Sequence, residues 1–251
     1  MRRYIPGIAV LLCLVSTQAE TLEVILAADN LPPFIQFTGE SVPSGPSGDM
    51  VVALSRLVGV ESFEKVPFAR LMHDLGARSE VVAFPVVRAP SREADYCWIL
   101  PLVAEDLVLV GLSDGVIDPA DHPTIAETRG SVLHELVSGI NPQKVEFVND
   151  VRLSFAMMAN GRVQAWIGAP YGLDALIEAT GMKREQFHVS KPVAQMRTYL
   201  VARRDYSRER LARWRSALAE LKRSGQWAEI SRRYEGLAVT FPAEEPKSGC
   251  N

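Results

Sequence analysis

Short apolar runs alternate with amphipathic segments along most of the chain, a pattern that predicts strands alternating with helices. The apolar runs predict strands at residues 22–27, 62–66, 81–87, 98–100, 107–111, 124–127, 144–148, 165–168 and 198–202. Capping residues, closing glycines and one-sided apolar faces predict helices at residues 49–58, 68–75, 131–137, 150–160, 173–180, 207–224 and 226–234. This order indicates an α/β architecture with a mainly parallel sheet.

Two segments with turn-forming composition divide this pattern. Residues 113–123 are rich in Gly, Asp and Pro, and residues 190–197 contain Pro192 just before a predicted strand. The stretch between them is roughly the size of one small α/β domain. If the chain crosses between lobes at both segments, the middle part is an inserted lobe, and the two crossings form a hinge beside a cleft.

The N-terminus has the layout of a secretory signal peptide. Arg2 and Arg3 precede the apolar residues 8–15, and residues 17–19 end in the small residue Ala19. We therefore predict a signal peptide at residues 1–19 and a periplasmic location, with a buried N-terminal strand as the alternative interpretation. No later segment approaches about 18 uninterrupted apolar residues, so we expect the processed protein to be soluble.

Composition excludes several classes of protein. The chain has 251 residues, 47% hydrophobic and 23% charged, which is a globular balance rather than a disordered one. The formal net charge is −3, and the arginines of residues 203–215 are interleaved with acidic residues on a predicted helix. We interpret them as a solvated helix face and expect no nucleic-acid partner, because phosphate binding needs a concentrated basic surface.

Two cysteines, Cys97 and Cys250, would remain after removal of the signal peptide. A disulfide between them is possible in an oxidising compartment. Cys97 lies in an apolar stretch and Cys250 is the penultimate residue of a polar, Pro-containing tail. The sequence favours a buried Cys97, a free thiol at Cys250 and a flexible tail at residues 237–251.

Short enzyme motifs are missing from the sequence. His134-Glu135 begins a zinc-protease pattern, but Ser138 stands where the second histidine would be needed. Residues 45–48 lack the spacing of a nucleophile elbow, and the chain has no phosphate-binding loop and no dinucleotide fingerprint. We therefore predict no metal and no cofactor, but missing motifs do not exclude catalysis, because catalytic groups often come together only in the fold.

A set of motifs in a fixed order resembles the bacterial periplasmic solute-binding proteins of family 3, which include the polar amino-acid receptors of ABC importers. The resemblance extends over about residues 21–236. It rests on Pro32-Pro33-Phe34, Gly48-Asp49, residues 67–71, residues 88–93, Trp98, Pro101-Leu102, Gly130-Ser131, residues 160–165 and the closing pattern from Leu218 to Tyr234.

The resemblance implies a two-lobed periplasmic-binding-protein fold of type II, with two parallel or mixed sheets joined by a two-strand hinge. Lobe I would comprise residues 20–111 and 196–236, and lobe II residues 112–195. In amino-acid receptors of this family an arginine after the third strand binds the ligand carboxylate, and Arg92 occupies that place. Guanidinium suits this role because its rigid fork matches two carboxylate oxygens. The alternative is a surface Arg92 paired with Glu93 or Asp95.

The resemblance also nominates other ligand-binding residues. Ser131 falls where lobe II contributes a hydroxyl and helix N-terminal N–H groups to the same carboxylate, although it could simply cap its own helix. Phe68 falls where a side chain packs on the ligand, with core burial as the competing interpretation. Arg88 would add a second positive charge to the cleft or face solvent.

One position departs from the family pattern. Ala169 stands where amino-acid receptors place an aspartate that pairs with the ligand ammonium, and a methyl group cannot neutralise a charge. We therefore expect an organic acid, a modified amino acid, or an amino acid held by another group, with Tyr171 able to supply a hydroxyl or an aromatic face.

The sequence thus predicts a monomeric periplasmic receptor for a small anionic or zwitterionic ligand, with an inner-membrane ABC permease as partner. Two alternatives remain open. One is an enzyme on the same fold, such as a cyclic-acid dehydratase, with Glu40, Asp49 or Asp174 as general acid. The other is a binding protein that senses a signal without transport.

Overall fold

A computed structural model describes residues 23–29, 35–38, 42–60, 62–114, 117–137, 144–171, 173–237, 239–242 and 250. The predicted signal peptide, the Pro32-Pro33-Phe34 motif and Glu40 lie outside these residues. None of the helices in the described ranges combines the length and the apolar character needed to cross a bilayer.

Strands and helices alternate through the described chain as the apolar pattern predicts. The strands are β1 (Val24–Asp29), β2 (Gln36–Thr38), β3 (Val42–Ser44), β4 (Phe63–Pro67), β5 (Val81–Val87), β6 (Tyr96–Leu112), β7 (Ile125–Thr128), β8 (Val145–Val148), β9 (Ala165–Gly168), β10 (Phe187–Val189), β11 (Ala194–Arg203) and β12 (Val239–Thr240). The helices are α1 (Gly45–Val58), α2 (Phe68–Ala77), α3 (Val151–Ala159), α4 (Leu173–Glu178), α5 (Arg208–Arg223) and α6 (Gln226–Arg233).

Ten of these strands form two mixed sheets that share β6, and β2 and β3 form a separate antiparallel pair. In the first sheet the order is β4-β1-β5-β11-β6-β12, with parallel pairing of β1 to β4 and β5 and antiparallel pairing beyond. In the second sheet the order is β10-β6-β9-β7-β8, and β7 runs parallel to β8 and β9. Each sheet with its helices forms one lobe, which confirms the α/β fold class. The expectation of a mainly parallel sheet is wrong, because β6 and β11 pair antiparallel with their neighbours.

The strand β6 joins the lobes and differs from its prediction. The sequence predicts two short strands, at 98–100 and 107–111, whereas the structure has one strand of 17 residues. Pro101 and the Glu105-Asp106 pair interrupt the local apolar pattern, but β11 pairs along this whole region. The pairing shifts register between Thr198 and Tyr199, which are opposite Val103 and Pro101, so β6 has an extra residue next to the proline. The predicted lobe boundaries at 111/112 and 195/196 stay predictions.

Local capping chemistry explains where several helices begin. The Asp150 carboxylate accepts a hydrogen bond from the Arg152 backbone N–H at 2.9 Å, and the Ser207 hydroxyl accepts one from the Arg210 N–H at 3.3 Å. Helix α1 begins at Gly45, four residues before its predicted start at Asp49. Pro46 occupies its first turn, where a missing N–H costs nothing.

Lobe I buries apolar residues on both faces of its sheet. One face packs against α1, α5 and α6 and includes Phe84 and Trp214, whereas the other packs against α2 and includes Trp98. In β5 the residues from Val81 to Val86 are buried, as expected of a strand covered on both faces. A core around Phe155 and Trp166 supports the sheet of lobe II.

The C-terminal segment is attached to lobe I at two places. Cys97 and Cys250 form a disulfide with a Cα–Cα distance of 4.7 Å, so the expectation of a free thiol at Cys250 is wrong. Strand β12 adds to β6 beside Ala104 and Glu105, and Phe241 packs on Trp227. Cys250 pairs with Cys97 because the folded chain brings the two residues together at the central sheet. No local feature of the polar tail indicates this disulfide.

Candidate functional site

Four strands end where the two lobes meet. Phe68 follows β4, the segment from Arg88 to Arg92 follows β5, Gly130 follows β7, and Tyr171 follows β9. Ligands of open α/β sheets bind outside the carboxyl ends of parallel strands, because the connecting loops leave a crevice there. We therefore define this region as the candidate cleft.

The Arg92 side chain links the two lobes. It is 7% exposed, and its guanidinium donates to the Val87 carbonyl of lobe I at 3.2 Å and to the Gly130 carbonyl of lobe II. Burial lowers the Arg92 pKa, although Tyr96, Glu135 and Glu127 oppose the shift through their charges. The structure therefore differs from the alternative of a surface arginine paired with Glu93 or Asp95.

Phe68 forms one wall beside this guanidinium. The Arg92 guanidinium carbon lies 5.7 Å from the centre of the Phe68 ring, within the range of a cation–π contact. On its other side the ring approaches Gly130, where an added Cβ would lie 3.6 Å from it. Phe68 is half-buried and packs on the apolar cluster below α2. Its contact with a ligand stays a prediction.

Arg88 is paired within lobe I. Its Nε donates to the Glu93 carboxylate at 2.7 Å, and its guanidinium lies 5.4 Å from the Trp98 ring centre and 5.5 Å from that of Tyr199. Glu93 therefore serves Arg88 rather than Arg92. The pKa of Arg88 is raised, mainly by its bond to Glu93. Ligand binding by Arg88 also stays a prediction.

Ser131 donates its hydroxyl to a carboxylate of its own lobe. Glu127 is 1% exposed and accepts from the Ser131 Oγ at 2.6 Å and from the Leu133 backbone N–H, and the His134 Nδ1 lies 2.6 Å from its second oxygen. The chain turns around this carboxylate, so the helix expected at 131–137 is wrong. A short 3-10 turn, Leu133–Leu136, stands in its place.

This arrangement changes what Ser131 can offer a ligand. A serine hydroxyl has a single O–H donor, and Glu127 already accepts it. A ligand carboxylate placed at the Ser131 hydroxyl would be repelled by the Glu127 carboxylate. Glu127 was not predicted as a site residue, since it follows the apolar residues of a short predicted strand and matches no motif. The assignment of Ser131 as a ligand-binding residue stays a prediction.

The lobes also touch through Ser91 and Glu135. The Glu135 carboxylate accepts from the Ser91 backbone N–H at 3.1 Å and from its hydroxyl at 2.6 Å. Ser91 belongs to the segment after β5, whereas Glu135 belongs to the 3-10 turn of lobe II. Ser91 and Arg92 are adjacent in the sequence, so one short segment of lobe I makes both contacts with lobe II.

Tyr171 and Ala169 lie at the other side of the cleft. Ala169 is buried in an apolar cluster with Leu107 and Met196. Tyr171 is half-buried against the core of lobe I, and its pKa is raised by burial and by the nearby charge of Glu105. Ligand binding by Tyr171 stays a prediction.

Glu105 is the second buried carboxyl that the sequence analysis missed. It lies in β6, is 2% exposed, and neither carboxyl oxygen has a hydrogen-bond partner among the described residues. Burial raises its pKa to about 9. The available signal was an acid directly after the apolar residues Leu102-Val103-Ala104, although Asp106 beside it gives no such indication of burial.

Two of the three acids named for the enzymatic alternative, Asp49 and Asp174, lie within the described residues. Asp49 accepts from the Tyr234 hydroxyl at 2.8 Å and pairs with Arg233 at 2.9 Å. The Asp174 side chain is 84% exposed and pairs with Arg184. Within the described ranges, no group of three or more His, Cys, Asp or Glu residues is placed to hold a metal ion.

The fold is shared with solved binding proteins and sensor domains. A complex of EhuB with hydroxyectoine matches with a TM-score of 0.72 at 19% identity, over 86% of this chain and 89% of that one. A histidine kinase sensor domain with similarity to periplasmic binding proteins matches with a TM-score of 0.71 at 16% identity, over 88% of this chain and 98% of that one. The arginine-, lysine-, histidine-binding protein ArtJ of Geobacillus stearothermophilus matches with a TM-score of 0.66 at 18% identity, over 90% of this chain and 97% of that one.

No protein-family model and no curated protein sequence matches the chain. The three structural matches nevertheless cover between 89% and 98% of the matched chains. The chain therefore has the two-lobed fold of the periplasmic solute-binding proteins that its sequence resembles.

Proposed function

We propose that the protein is a periplasmic receptor that captures a small carboxylate-bearing ligand between its lobes, with Arg92 as the group that binds the carboxylate. One observation carries this proposal. A guanidinium that is 7% exposed joins both lobes, yet its described hydrogen bonds go to two neutral carbonyl groups.

The bonding capacity of Arg92 supports an anionic ligand. A guanidinium carries five N–H donors, and the two carbonyl bonds leave three of them for another acceptor. A buried charge without an ion pair is costly, and a carboxylate would offset that cost with charge-assisted hydrogen bonds. The desolvated environment that lowers the Arg92 pKa would also strengthen its attraction to an anion.

Closure follows from the position of Arg92 between the lobes. A ligand that binds the closed form better than the open form shifts the equilibrium towards closure. Because Val87 and Gly130 belong to different lobes, the Arg92 guanidinium keeps a fixed place only when the lobes are together. The affinity for ligand and the extent of closure would therefore be coupled.

The downstream role is part of the proposal. An inner-membrane ABC permease that accepts the closed, monomeric receptor is the partner we favour, and the fold shared with the substrate binding protein of an amino acid ABC transporter supports it. The fold shared with a histidine kinase sensor domain supports sensing as the alternative. Both roles use the same binding step, and neither requires catalysis.

A thermal-shift screen of the processed protein against amino acids, monocarboxylates and dicarboxylates tests the proposal. We expect at least one carboxylate to raise the melting temperature of the wild type. In Arg92→Ala its affinity should fall by about tenfold to 150-fold, because bonds to charged groups contribute about 1.5–3 kcal/mol. Arg223→Ala is the matched control, since Arg223 is exposed at the end of α5 and pairs with Glu220. Equal affinity in wild type and Arg92→Ala would contradict the proposal.

A further inference from the structure

We propose that Glu135 is a built-in anion that latches the two lobes together in the ligand-free protein by occupying the Ser91 donors beside Arg92, and that a ligand carboxylate has to displace it. The inference concerns the regulation of the candidate cleft. Its effect on affinity rests on the proposed function, whereas its effect on the lobes can be measured without any ligand.

The contact between Ser91 and Glu135 has the form of a bound carboxylate. Ser91 donates its backbone N–H to one carboxylate oxygen at 3.1 Å and its hydroxyl to the other at 2.6 Å. Hydrogen bonds to an ionised acceptor are stronger than those between neutral groups. Because Ser91 belongs to lobe I and Glu135 to lobe II, both bonds exist only while the lobes are together.

The charge of Glu135 also acts on Arg92. The Arg92 guanidinium crosses to the Gly130 carbonyl of lobe II. Burial lowers its pKa, and the charges of Tyr96, Glu135 and Glu127 oppose the shift. Of these three groups, Glu135 is the one with described hydrogen bonds to the other lobe. A ligand carboxylate that approached Arg92 in the latched form would therefore be repelled by Glu135.

A buried network fixes the turn that carries Glu135. Glu127 is 1% exposed and accepts from the Ser131 hydroxyl and the Leu133 backbone N–H, and the His134 Nδ1 lies 2.6 Å from its second oxygen. Leu133 also packs against an apolar cluster of lobe II. The turn is thus tied to its sheet directly before Glu135. This arrangement gives Glu127, which has no part in the proposed binding step, a positioning role.

The latch reduces the fraction of ligand-free protein that is open to a ligand. When only the unlatched form admits the ligand, the apparent affinity falls in proportion to the fraction of that form. Glu135→Gln keeps the length of the side chain and one acceptor oxygen but removes the charge, so it weakens both the latch and the repulsion. The open fraction and the affinity for a carboxylate should therefore rise together in this variant.

Pulsed electron double resonance on the ligand-free, processed protein tests the latch. Nitroxide labels on Ala69→Cys and Leu153→Cys report the distance across the cleft, because both residues are exposed in the first turns of α2 and α3, which follow strand ends at the cleft. Cys97 and Cys250 are bonded to each other and do not take the label. We expect Glu135→Gln to raise the fraction of long distances at least threefold.

Two further variants make the test specific. Ser91→Ala removes the hydroxyl donor from lobe I and should lengthen the distances to a smaller extent, because the backbone N–H remains. Glu146→Gln is the matched control, since Glu146 is exposed on β8 of the same lobe and its replacement removes the same charge.

Calorimetric titration of the same proteins with L-glutamate, succinate and glutarate measures the effect on affinity. A probe that binds the wild type should bind Glu135→Gln about threefold to tenfold more tightly, because the competing anion is lost. Its affinity for Glu146→Gln should equal that for the wild type.

The outcomes separate the inference from the proposed function. If Glu135→Gln leaves the distances of the ligand-free protein unchanged, lengthens them no more than Glu146→Gln does, or binds a probe more weakly than the wild type, the inference is wrong. If a probe binds in an Arg92-dependent manner while the distances stay unchanged, the proposed function stands and the inference fails. If the distances lengthen in Glu135→Gln and Ser91→Ala but no probe binds, the latch stands and the proposed function is contradicted for these ligands.

Discussion

Replacing Glu105 with glutamine is expected to stabilise the protein, although most substitutions in a buried strand destabilise. The reason is the difference between the Glu105 pKa of about 9 in the folded protein and its usual value of 4.5. The folded state must keep the proton that the unfolded state releases. This requirement makes folding less favourable over the pH range between those two values.

The sign and size follow from linkage. Below pH 4.5 the carboxyl is neutral in both states, and Glu105 carries no penalty. As the pH rises towards 9, the unfolded chain gains about 1.4 kcal/mol per pH unit from ionisation. At pH 7 the free energy of unfolding is therefore lower by about 3 kcal/mol, and above pH 9 the loss levels off near ~6 kcal/mol.

Urea denaturation of wild type, Glu105→Gln and Asp106→Asn at several pH values measures this effect. The stabilisation of Glu105→Gln over wild type should grow from about 1 kcal/mol near pH 5 to about 4–5 kcal/mol near pH 8. Glu105→Met serves as a second variant, because it removes the polar group and keeps a similar length. A difference that stays constant with pH, or a loss of stability in both variants at pH 8, would refute the reasoning.

Three further predictions concern the framework of the cleft. Cys250→Ser should lower the free energy of unfolding by about 2–5 kcal/mol in urea under oxidising conditions, because the disulfide spans 153 residues. No loss relative to the oxidised wild type would contradict this prediction. Glu127→Gln should lower the free energy of unfolding by about 1.5–3 kcal/mol in the same assay, because it weakens the charge-assisted hydrogen bonds from Ser131 and Leu133. Unchanged stability would show that these bonds contribute little. Gly48→Ala should lower the free energy of unfolding by about 1–3 kcal/mol, because the new Cβ would lie 2.9 Å from the Pro43 carbonyl carbon. Gly76→Ala is the control and should be neutral or stabilising, because its new Cβ would have no other atom within 4 Å.

Much of the fold was predictable because its signals are local. The strands at 81–87 and 165–168 coincide with β5 and β9, since uninterrupted apolar runs bounded by polar residues allow few other structures. Helices α3 and α5 begin beside the predicted caps Asp150 and Ser207, because a cap satisfies N–H groups only two or three residues away.

The candidate site was predictable in part. Arg92 was singled out from its place after the third strand, and the structure puts it between the lobes, bonded to both. Nothing in the sequence indicated that the Glu127 carboxylate would accept the hydrogen bond from the Ser131 hydroxyl. A hydrogen bond between residues four apart in an irregular turn depends on backbone geometry that has no periodicity to reveal it.

The sequence by itself determined the alternation of strands and helices and the capped starts of α3 and α5, and its family resemblance singled out Arg92. Tertiary structure alone decided the unbroken strand β6, the Cys97–Cys250 disulfide and the burial of Glu105 without a hydrogen-bond partner among the described residues. Each of these depends on groups far apart in the chain, such as Met196 and Val239 opposite Glu105. The pKa and bonding of a carboxyl follow from what surrounds it in space, and only the packed lobes bring those surroundings together.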